Sequence, residues 1–576
     1  MSILAPPDTM TPAPGGLDEP TRRRSRRPAV ALFIALMTGY FTAGALMVLR
    51  YDFYEPDAFS RVANAAYTLM SRDPHLGAVG FVWNPLPSLV QIPLLPLSHW
   101  WPEIRNDGLA GILQSAAFMA GAVVLVRRIA LDRGVGSLWL WIAVGCFALN
   151  PIIIAYGASG MSEAAMLFCL LWCVRRLLLW IETRYVGDLA IAGIALGVGY
   201  LTRYEMIPAA FGAAVLVGAI AYRRAPQHSR KSFAFSSMMI VLMPIVMAVG
   251  LWAATSWIVT GEMFATVSSQ YGNASQVHTA VERGGIITNA NWYVIGQRML
   301  GMQPFVGLAV TLAVAVAALK RRVDVLAPLA TFGAVLAFAA WGHFTVSTFG
   351  WFRFYMPAIP LVIVVVLVCW TPITGAPGSL RLDSVPARLA AGLLCLSVVV
   401  GMPVTAYAML DRGNTTNQPL LLGLNSLIDP RQYPPEEYRR MTASDQILAD
   451  WLDRQNLPAG SVLTDTFISS PVWLASGNPA QFVVTSDYDF TAALNRPWDF
   501  GVRYILVSNP AGNAAKDAIT QRYPSIWDDG AGLGRLVHVA GPAGREWRLY
   551  RVEEPTDELA ESEIPTDETP MVRPGG

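Results

Sequence analysis

The chain has 576 residues, of which 53% are hydrophobic and only 14% are charged. A soluble globular protein carries about a quarter charged residues, so this composition argues against a water-solvated enzyme and is typical of a membrane protein. The net charge is +1, from 42 basic and 41 acidic residues, which excludes a strongly basic nucleic-acid-binding protein.

The amino-terminal region predicts a tail followed by a membrane anchor. Residues 1–28 are rich in proline and end in an arginine cluster, which favours a disordered cytoplasmic tail. From Ala29 to Leu49 the chain has no charged residue, and this run is long enough to cross a hydrocarbon core of about 30 Å. A cleavable signal peptide has a shorter apolar core, so we expect an anchor helix that stays in the protein.

Later apolar runs predict about eleven spans in all. They lie near residues 108–126, 137–156, 161–181, 187–201, 206–222, 233–258, 304–319, 325–342, 356–371 and 389–409. Arginines and lysines are concentrated in the segments on the side of the amino terminus, and short loops with this excess face the cytoplasm. We therefore expect a multi-pass plasma (inner) membrane protein with a cytoplasmic amino terminus and an extracytoplasmic carboxy terminus.

This topology predicts two membrane-external loops, at residues 50–106 and 260–303. Residues 29–410 then form the transmembrane domain. Residues 411–553 alternate helical and strand-like patterns, which predicts a small soluble α/β domain with parallel strands and a closing hairpin. Residues 554–576 carry many carboxylates and prolines and are predicted to be a disordered acidic tail.

Three acids, Asp52, Glu55 and Asp57, follow the first span directly. The stretch from Asp57 to Met70 has amphipathic spacing and predicts a helix lying on the membrane surface. Acids at the start of a helix also stabilise its dipole, so a purely structural role is an alternative for them.

A fourth acid, Glu163, lies in a very short outer loop at the start of the fourth predicted span. It could serve the first helical turn together with Ser159 or Ser162 as the N-cap. Charges at the membrane margin are costly and usually functional, so the other interpretation places Glu163 opposite Asp57 at the outer mouth.

Two arginines are predicted on the same face. Arg203 follows the fifth span and Arg353 precedes the tenth, among aromatic residues. Arg203 could simply pair with Glu205, and Arg353 could anchor the interface, whereas their alternative role is to bind a phosphate. His343 is also predicted outside, but no histidine spacing indicates a metal site.

These stretches, taken in order, resemble the GT-C superfamily of polyprenyl-phosphate-sugar-dependent glycosyltransferases, which includes the protein O-mannosyltransferase, aminoarabinose transferase and bacterial family-39-like groups. The similar stretches are Glu55-Pro-Asp57, Trp83-Asn-Pro-Leu-Pro, Gly160-Met-Ser-Glu163, Leu201-Thr-Arg203-Tyr-Glu205, Gln270-Tyr-Gly-Asn273 and Arg353-Phe-Tyr-Met-Pro357. The first loop departs from the mannosyltransferases, since it lacks their adjacent Asp-Glu pair and has Asn-Pro-Leu-Pro in place of His-Pro-Pro. The resemblance covers roughly residues 29–410.

The resemblance implies an α-helical polytopic membrane protein with a small α/β extracytoplasmic carboxy-terminal domain. It also implies transfer of a sugar from a polyprenyl-phosphate donor to a cell-envelope glycan, lipid or protein, with inversion. Asp57 is then the expected base and Glu163 a second catalytic acid. The residues expected to bind substrate are Asp52, Glu55, Arg203, Tyr271, His343 and Arg353. Some relatives use a divalent metal ion and others do not, which leaves a metal cofactor open.

Two other functions fit a multi-pass membrane protein. One is a transporter or flippase of a lipid-linked substrate, and the other is a non-catalytic envelope protein that binds glycans. Transporters commonly contain internal repeats and polar residues near the middle of the membrane. This chain has no clear repeat, and its polar groups cluster at one face, which favours an enzyme at the membrane interface.

Overall fold

The computed structural model describes residues 19–53, 55–282, 291–370, 385–416, 418–435, 442–542 and 546–553. The start of the predicted amino-terminal tail and the predicted acidic tail, residues 554–576, lie outside these ranges. The α-helices of seven or more residues are, in chain order, α1 Glu19–Tyr51, α2 Pro56–Met70, α3 Leu109–Asp132, α4 Ser137–Ala148, α5 Pro151–Gly157, α6 Glu163–Thr183, α7 Val186–Tyr200, α8 Met206–Arg224, α9 Arg230–Thr260, α10 Asn273–Glu282, α11 Trp292–Met302, α12 Val306–Lys320, α13 Ala334–Phe344, α14 Ala358–Trp370, α15 Val385–Met409, α16 Pro419–Ile428, α17 Ala443–Arg454 and α18 Thr466–Ala475.

Most of these helices follow the apolar runs of the sequence. Within the described residues, seven segments are long and apolar enough to cross a membrane, or nine if each of two bent helix pairs counts as one span. One bent pair is α4 with α5, at 60°, and the other is α11 with α12, at 84°. The predicted fold class of a helical multi-pass membrane protein is confirmed.

Among the described residues, the seven to nine candidate spans are fewer than the eleven expected from the sequence. Helix α7 has only 15 residues, roughly 22 Å at 1.5 Å per residue, and is too short to count among these candidates. It nevertheless returns the chain from the end of α6 to the level of Glu163, which Arg203 contacts. The run near 389–409 forms α15. The structure describes the backbone of this helix but not the side chains of residues 385–395. The first helix already includes Glu19, ahead of the predicted start at Ala29.

The carboxy-terminal region contains a five-stranded mixed sheet with the order β2-β1-β3-β5-β4. Its strands are β1 Val462–Leu463, β2 Phe482–Val483, β3 Tyr504–Ser508, β4 Gly534–Ala540 and β5 Trp547–Val552. Strand β1 pairs in parallel with β2 and β3, and β5 pairs antiparallel with β3 and β4. The α/β class of this region and the antiparallel closing pair agree with the sequence pattern.

Helix α2 lies inside the protein and not on a membrane surface as its amphipathic pattern predicts. Its apolar residues Phe59, Val62 and Ala66 share one buried core with Trp473 of α18. The rings of Tyr67 and Trp473 meet edge to face at 4.5 Å. Helices α18 and α3 therefore cover the apolar face of α2. Contact with these helices removes that face from water as effectively as contact with lipid would.

Candidate active site

Arg353 is the centre of a cluster of buried charges. It lies on a short helical turn, Phe352–Tyr355, just before α14. Its Nη2 is 2.9 Å from Asp57 Oδ2, its Nε is 3.2 Å from Glu163 Oε1, and its Nη1 is 3.8 Å from Glu55 Oε2. The guanidinium plane also covers Trp351, at 4.0 Å from the ring centroid. One planar cation thus joins three acids that come from two distant parts of the chain.

Arg203 extends the cluster through Glu163. Its Nη1 is 2.8 Å from Glu163 Oε1, and its Nε is 3.0 Å from Glu205 Oε1. Burial alone would lower the pKa of the Arg203 guanidinium, but Glu205 and Glu163 together raise that pKa above its ordinary value. The pairing with Glu205 that the sequence offered as an alternative is present, and it coexists with the contact to Glu163.

A close backbone approach brings the two acidic segments together. Gly160, in the turn before α6, has a φ of +81° and lies against the start of α2. A Cβ at this position would be 3.1 Å from the Ala58 Cβ and 3.2 Å from the Gly111 carbonyl carbon. Only glycine combines this left-handed backbone with so little space. The turn can therefore place Glu163 and the neighbour of Ala58, Asp57, around the same arginine.

The three acids that Arg353 contacts differ in how far their side chains are exposed to solvent. The Asp57 side chain is 24% exposed, whereas those of Glu55 and Glu163 are 2% and 1% exposed. Burial is the main cause that raises the pKa of Glu55, to about 8, although Arg353 lowers it. Asp57 is therefore the acid of this group that a substrate can reach.

Two cavities meet at Asp57. The larger, of about 250 Å³, lies between the first outer loop and the carboxy-terminal region, and the smaller, of about 60 Å³, is lined by three arginines. These arginines are Arg61, Arg203 and Arg353. Asp57 and Trp83 line both cavities. The carboxylate thus stands between a polar space and one lined by arginines.

Arg61 is a site residue that the sequence argument missed. Its Nη1 donates to the Asp57 carbonyl oxygen at 2.8 Å, and its guanidinium lies 4.5 Å from the Trp83 ring centroid. The available signal was its position four residues after Asp57, which places both side chains on one face of α2. Burial lowers the pKa of Arg61 to about 10, still high enough to keep its charge at neutral pH.

Three predicted substrate-binding residues lie outside the arginine cluster. The Asp52 carboxylate accepts a hydrogen bond from the Thr442 backbone amide at 3.3 Å, just before α17. The Tyr271 hydroxyl donates to Asp465, and Tyr271 lines the larger of the two cavities described above. His343 lies 3.0 Å from the Tyr355 hydroxyl and lines a separate cavity of about 1320 Å³.

The acids of the cluster do not fit a divalent metal ion. Glu55, Asp57 and Glu163 already share the positive charge of Arg353, and a second cation among them would be repelled by it. Across the described ranges, no group of three or more His, Cys, Asp or Glu side chains has the arrangement of a metal site.

Comparisons with known proteins bear on the class of the chain. Residues 105–252 match the family described as dolichyl-phosphate-mannose-protein mannosyltransferase. A search of curated proteins gives no match. Among solved structures, ArnT from Cupriavidus metallidurans bound to undecaprenyl phosphate has 12% identity and a TM-score of 0.48, over 90% of this chain and 97% of that one. The oligosaccharyltransferase AglB from Archaeoglobus fulgidus, in complex with an inhibitory peptide and a dolichol-phosphate, has 11% identity and a TM-score of 0.38, over 90% and 74%.

The family match covers α3 to α8 and most of α9, and so includes Glu163 and Arg203 of the charge cluster. Asp57 and Arg353 lie outside the matched residues, and their roles rest on the geometry alone. The chain thus combines a helical fold with several candidate membrane spans and a segment, residues 105–252, that is similar to the protein mannosyltransferase family.

Proposed function

We propose that the protein transfers a sugar from a polyprenyl-phosphate donor to a hydroxyl group of a cell-envelope acceptor, with inversion at the anomeric carbon. The observation that carries this proposal is the position of Asp57, an accessible carboxylate fixed by Arg353 between a polar cavity and an arginine-lined cavity. The family description supports the class of donor, since it names a polyprenyl-type phosphate sugar.

In this mechanism Asp57 is the general base. Its carboxylate takes the proton of the acceptor hydroxyl, whose oxygen then forms a bond to the anomeric carbon of the donor sugar. The bond from that carbon to the phosphate oxygen breaks, and its electron pair leaves with the lipid phosphate. Arg353 Nη2, 2.9 Å away, holds the Asp57 Oδ2 in place, which keeps the carboxylate oriented toward the acceptor hydroxyl.

The arginine-lined cavity is the proposed place of the leaving phosphate. Arg61, Arg203 and Arg353 all line it, and fixed positive charge in a buried site stabilises negative charge that develops in the transition state. When Asp57 accepts the proton its negative charge is lost, so the charge of Arg353 becomes available to the phosphate in the same step.

Glu163 is proposed to act as a positioning residue. Its side chain is 1% exposed, so a substrate does not reach it, yet its Oε1 contacts both Arg203 and Arg353. It therefore fixes the two arginines relative to each other, which is the precondition for placing a phosphate between them.

We also propose that the site faces the outside of the cell. The excess of arginine and lysine in the short segments on the amino-terminal side places those segments in the cytoplasm. The charge cluster and the carboxy-terminal region then lie on the outer side. Residues 29–410 would form the catalytic membrane domain, and residues 411–553 an extracytoplasmic domain that covers it.

A transfer assay with purified protein tests the proposal. Radiolabelled polyprenyl-phosphate sugars are incubated with the protein and a bacterial envelope fraction, and the label that leaves the lipid is measured. We expect Asp57→Asn to abolish transfer while the protein still folds, and Asp450→Asn, at an exposed position of α17, to keep it. Full activity of Asp57→Asn would reject Asp57 as the base.

A further inference from the structure

The larger cavity at Asp57 is built by three separate parts of the chain, one of which contributes Val259, Tyr271 and Gln276. Its lower wall comes from α2 and the residues up to Trp83, and its upper wall from residues 465–488 of the carboxy-terminal region. Hydroxyl and amide groups line both walls, namely Ser60, Asn64, Gln276, Thr466, Thr485 and Ser486. Hydroxyl and amide side chains can form hydrogen bonds with a ligand and carry no net charge themselves.

Some buried polar atoms of this lining have no hydrogen-bond partner among the described residues. Ser486 Oγ and His75 Nδ1 are buried and make no hydrogen bond to the residues that the structure describes. Buried polar atoms are normally satisfied, so an unpaired group on a cavity wall indicates that a ligand or water completes it. An aromatic surface stands beside them, since the His75 and Tyr488 rings stack at 4.3 Å.

The charges around the cavity are negative. Asp57 and Asp465 contribute carboxylates, and none of the described lining residues is a lysine or an arginine. Away from Asp57, whose carboxylate is paired with Arg353, an anionic ligand would find no cation in this lining. Hydroxyl-bearing, uncharged molecules fit both the hydrogen-bonding groups and this field.

We propose that this cavity is the acceptor subsite and that it selects a neutral sugar ring. The inference rests on the proposed function, which places the leaving phosphate in the arginine-lined cavity. In a single inverting displacement the attacking oxygen and the leaving oxygen lie on opposite sides of the anomeric carbon. The acceptor hydroxyl therefore approaches from the side of Asp57 away from the arginines, where the polar cavity lies.

The volume agrees with a small acceptor group. At about 250 Å³, the cavity is smaller than the roughly 300–1,000 Å³ of pockets for drug-sized ligands. One sugar ring can enter, with the rest of a larger glycan remaining outside.

The upper wall is held in place by contacts to the membrane domain. Arg72 pairs with Asp487 at 3.3 Å, and also with Asp489. The His75 Nε2 lies 3.0 Å from the Ser486 carbonyl oxygen. The carboxy-terminal region thus presents fixed groups to the cavity, and it takes part in choosing the acceptor.

Binding of simple glycosides tests this inference without any donor. Saturation-transfer difference NMR on the full-length protein in detergent compares neutral methyl hexosides with glucose 6-phosphate. We expect the neutral glycosides to bind and glucose 6-phosphate to bind at least about tenfold more weakly. Asn64→Ala and Ser486→Ala should each weaken neutral glycoside binding by about tenfold, as expected for a lost hydrogen bond. The matched control is Gln455→Ala, at an exposed position.

The outcomes separate this inference from the proposed function. Equal or tighter binding of glucose 6-phosphate, or unchanged binding in both alanine variants, would overturn the neutral acceptor subsite. The alanine variants remove few atoms, and their melting temperatures in detergent show whether a loss of binding reflects unfolding. Asp57→Asn should retain glycoside binding while it loses transfer. Glycoside binding to a protein that transfers no sugar from any donor would reject the proposed function and leave the subsite standing.

Discussion

Arg353 Nη2 donates a hydrogen bond to Asp57 Oδ2 at 2.9 Å, although the two residues are 296 positions apart in the chain. The same guanidinium contacts Glu163, which begins α6. This bridge makes the accessible acid and the buried acid parts of one charge network. Changes at any of the three residues should therefore affect both the stability of the protein and its transfer activity.

The loss of the central cation should destabilise the protein strongly. In Arg353→Gln, Glu163 loses one of its two arginine partners and keeps only Arg203, while its side chain remains buried. Removing one partner of a buried ion pair costs about 3–5 kcal/mol of unfolding free energy, measurable by denaturation in detergent. Arg353→Lys should lose less, because it keeps the charge but not the planar geometry. As a control, Arg496→Gln breaks an exposed pair with Asp499 and should cost about 1 kcal/mol or less.

Glu163→Gln tests whether this residue positions the arginines. Glutamine keeps the shape and an acceptor oxygen for Arg203, so the fold should survive. Without the negative charge the two arginines repel each other and shift, and we expect kcat to fall by about 10–100-fold with little change in KM. Steady-state kinetics with a labelled donor measure both constants. A rise in KM alone, with kcat unchanged, would contradict a positioning role in the chemical step.

The stability of the protein should depend on the ionisation of Glu55. Its pKa is raised from 4.5 to about 8 by burial. Between these two values the folded state holds a proton that the unfolded state has released. The free energy of unfolding should therefore fall as the pH rises through this window, by on the order of 1 kcal/mol per pH unit.

Glu55→Gln removes the titrating carboxyl group and provides the control variant for the pH measurement. The variant should become the more stable of the two proteins as the pH approaches 8, in unfolding experiments between pH 5 and 9. The comparison isolates Glu55, because Asp445 and Asp487 also have raised pKa values, about 7, and remain in both proteins. Parallel stability curves for the two proteins would show that Glu55 is ionised throughout.

The contact between Tyr271 and Asp465 should hold the second outer loop against the carboxy-terminal region. Tyr271→Phe removes the hydroxyl that donates to Asp465, while the Ala518 and Phe467 amides continue to donate to that carboxylate. A hydrogen bond to a charged group contributes about 1.5–3 kcal/mol, and we expect a loss of this size in thermal or chemical unfolding. The exposed Tyr293 provides a control variant, Tyr293→Phe, that should change stability little.

The proposed orientation can be tested with two single-cysteine variants in a background where the native cysteines are replaced. Tyr488 and Tyr185 are similarly exposed, at 70% and 66%, but lie on opposite sides in the predicted topology. A membrane-impermeant maleimide is added to cells whose cell wall has been removed and whose plasma membrane is intact. It should label Tyr488→Cys and leave Tyr185→Cys unlabelled until the plasma membrane is permeabilised. The reverse labelling would place the charge cluster in the cytoplasm.

Particular residues show where sequence reasoning succeeded. The helical membrane fold and the α/β class of the carboxy-terminal region follow from hydropathy and strand pattern, and are confirmed. The glycosyltransferase class follows from ordered motifs, and the family similarity of residues 105–252 supports it. The roles assigned to Asp57, Glu163, Arg203 and Arg353 stay predictions, although the structure does bring these four residues together.

Other features depended on distant contacts. Arg61 was not predicted as a site residue, and only the structure shows its guanidinium against Trp83 beside Asp57. The pattern of α2 was correctly amphipathic, but it could not distinguish lipid from α18 as the cover of the apolar face, since both are equally apolar.

The sequence by itself determined the long apolar segments that can enter the membrane. Lipid offers no hydrogen-bond partners to the backbone, so a spanning segment must be a helix that is long and apolar along its own length. Such a property is local and can be read from about twenty consecutive residues. The tertiary structure decided which arginine pairs with which acid, and that residues 465–488 close the cavity at Asp57. These pairings join side chains hundreds of positions apart, and their geometry is set by how the helices pack together.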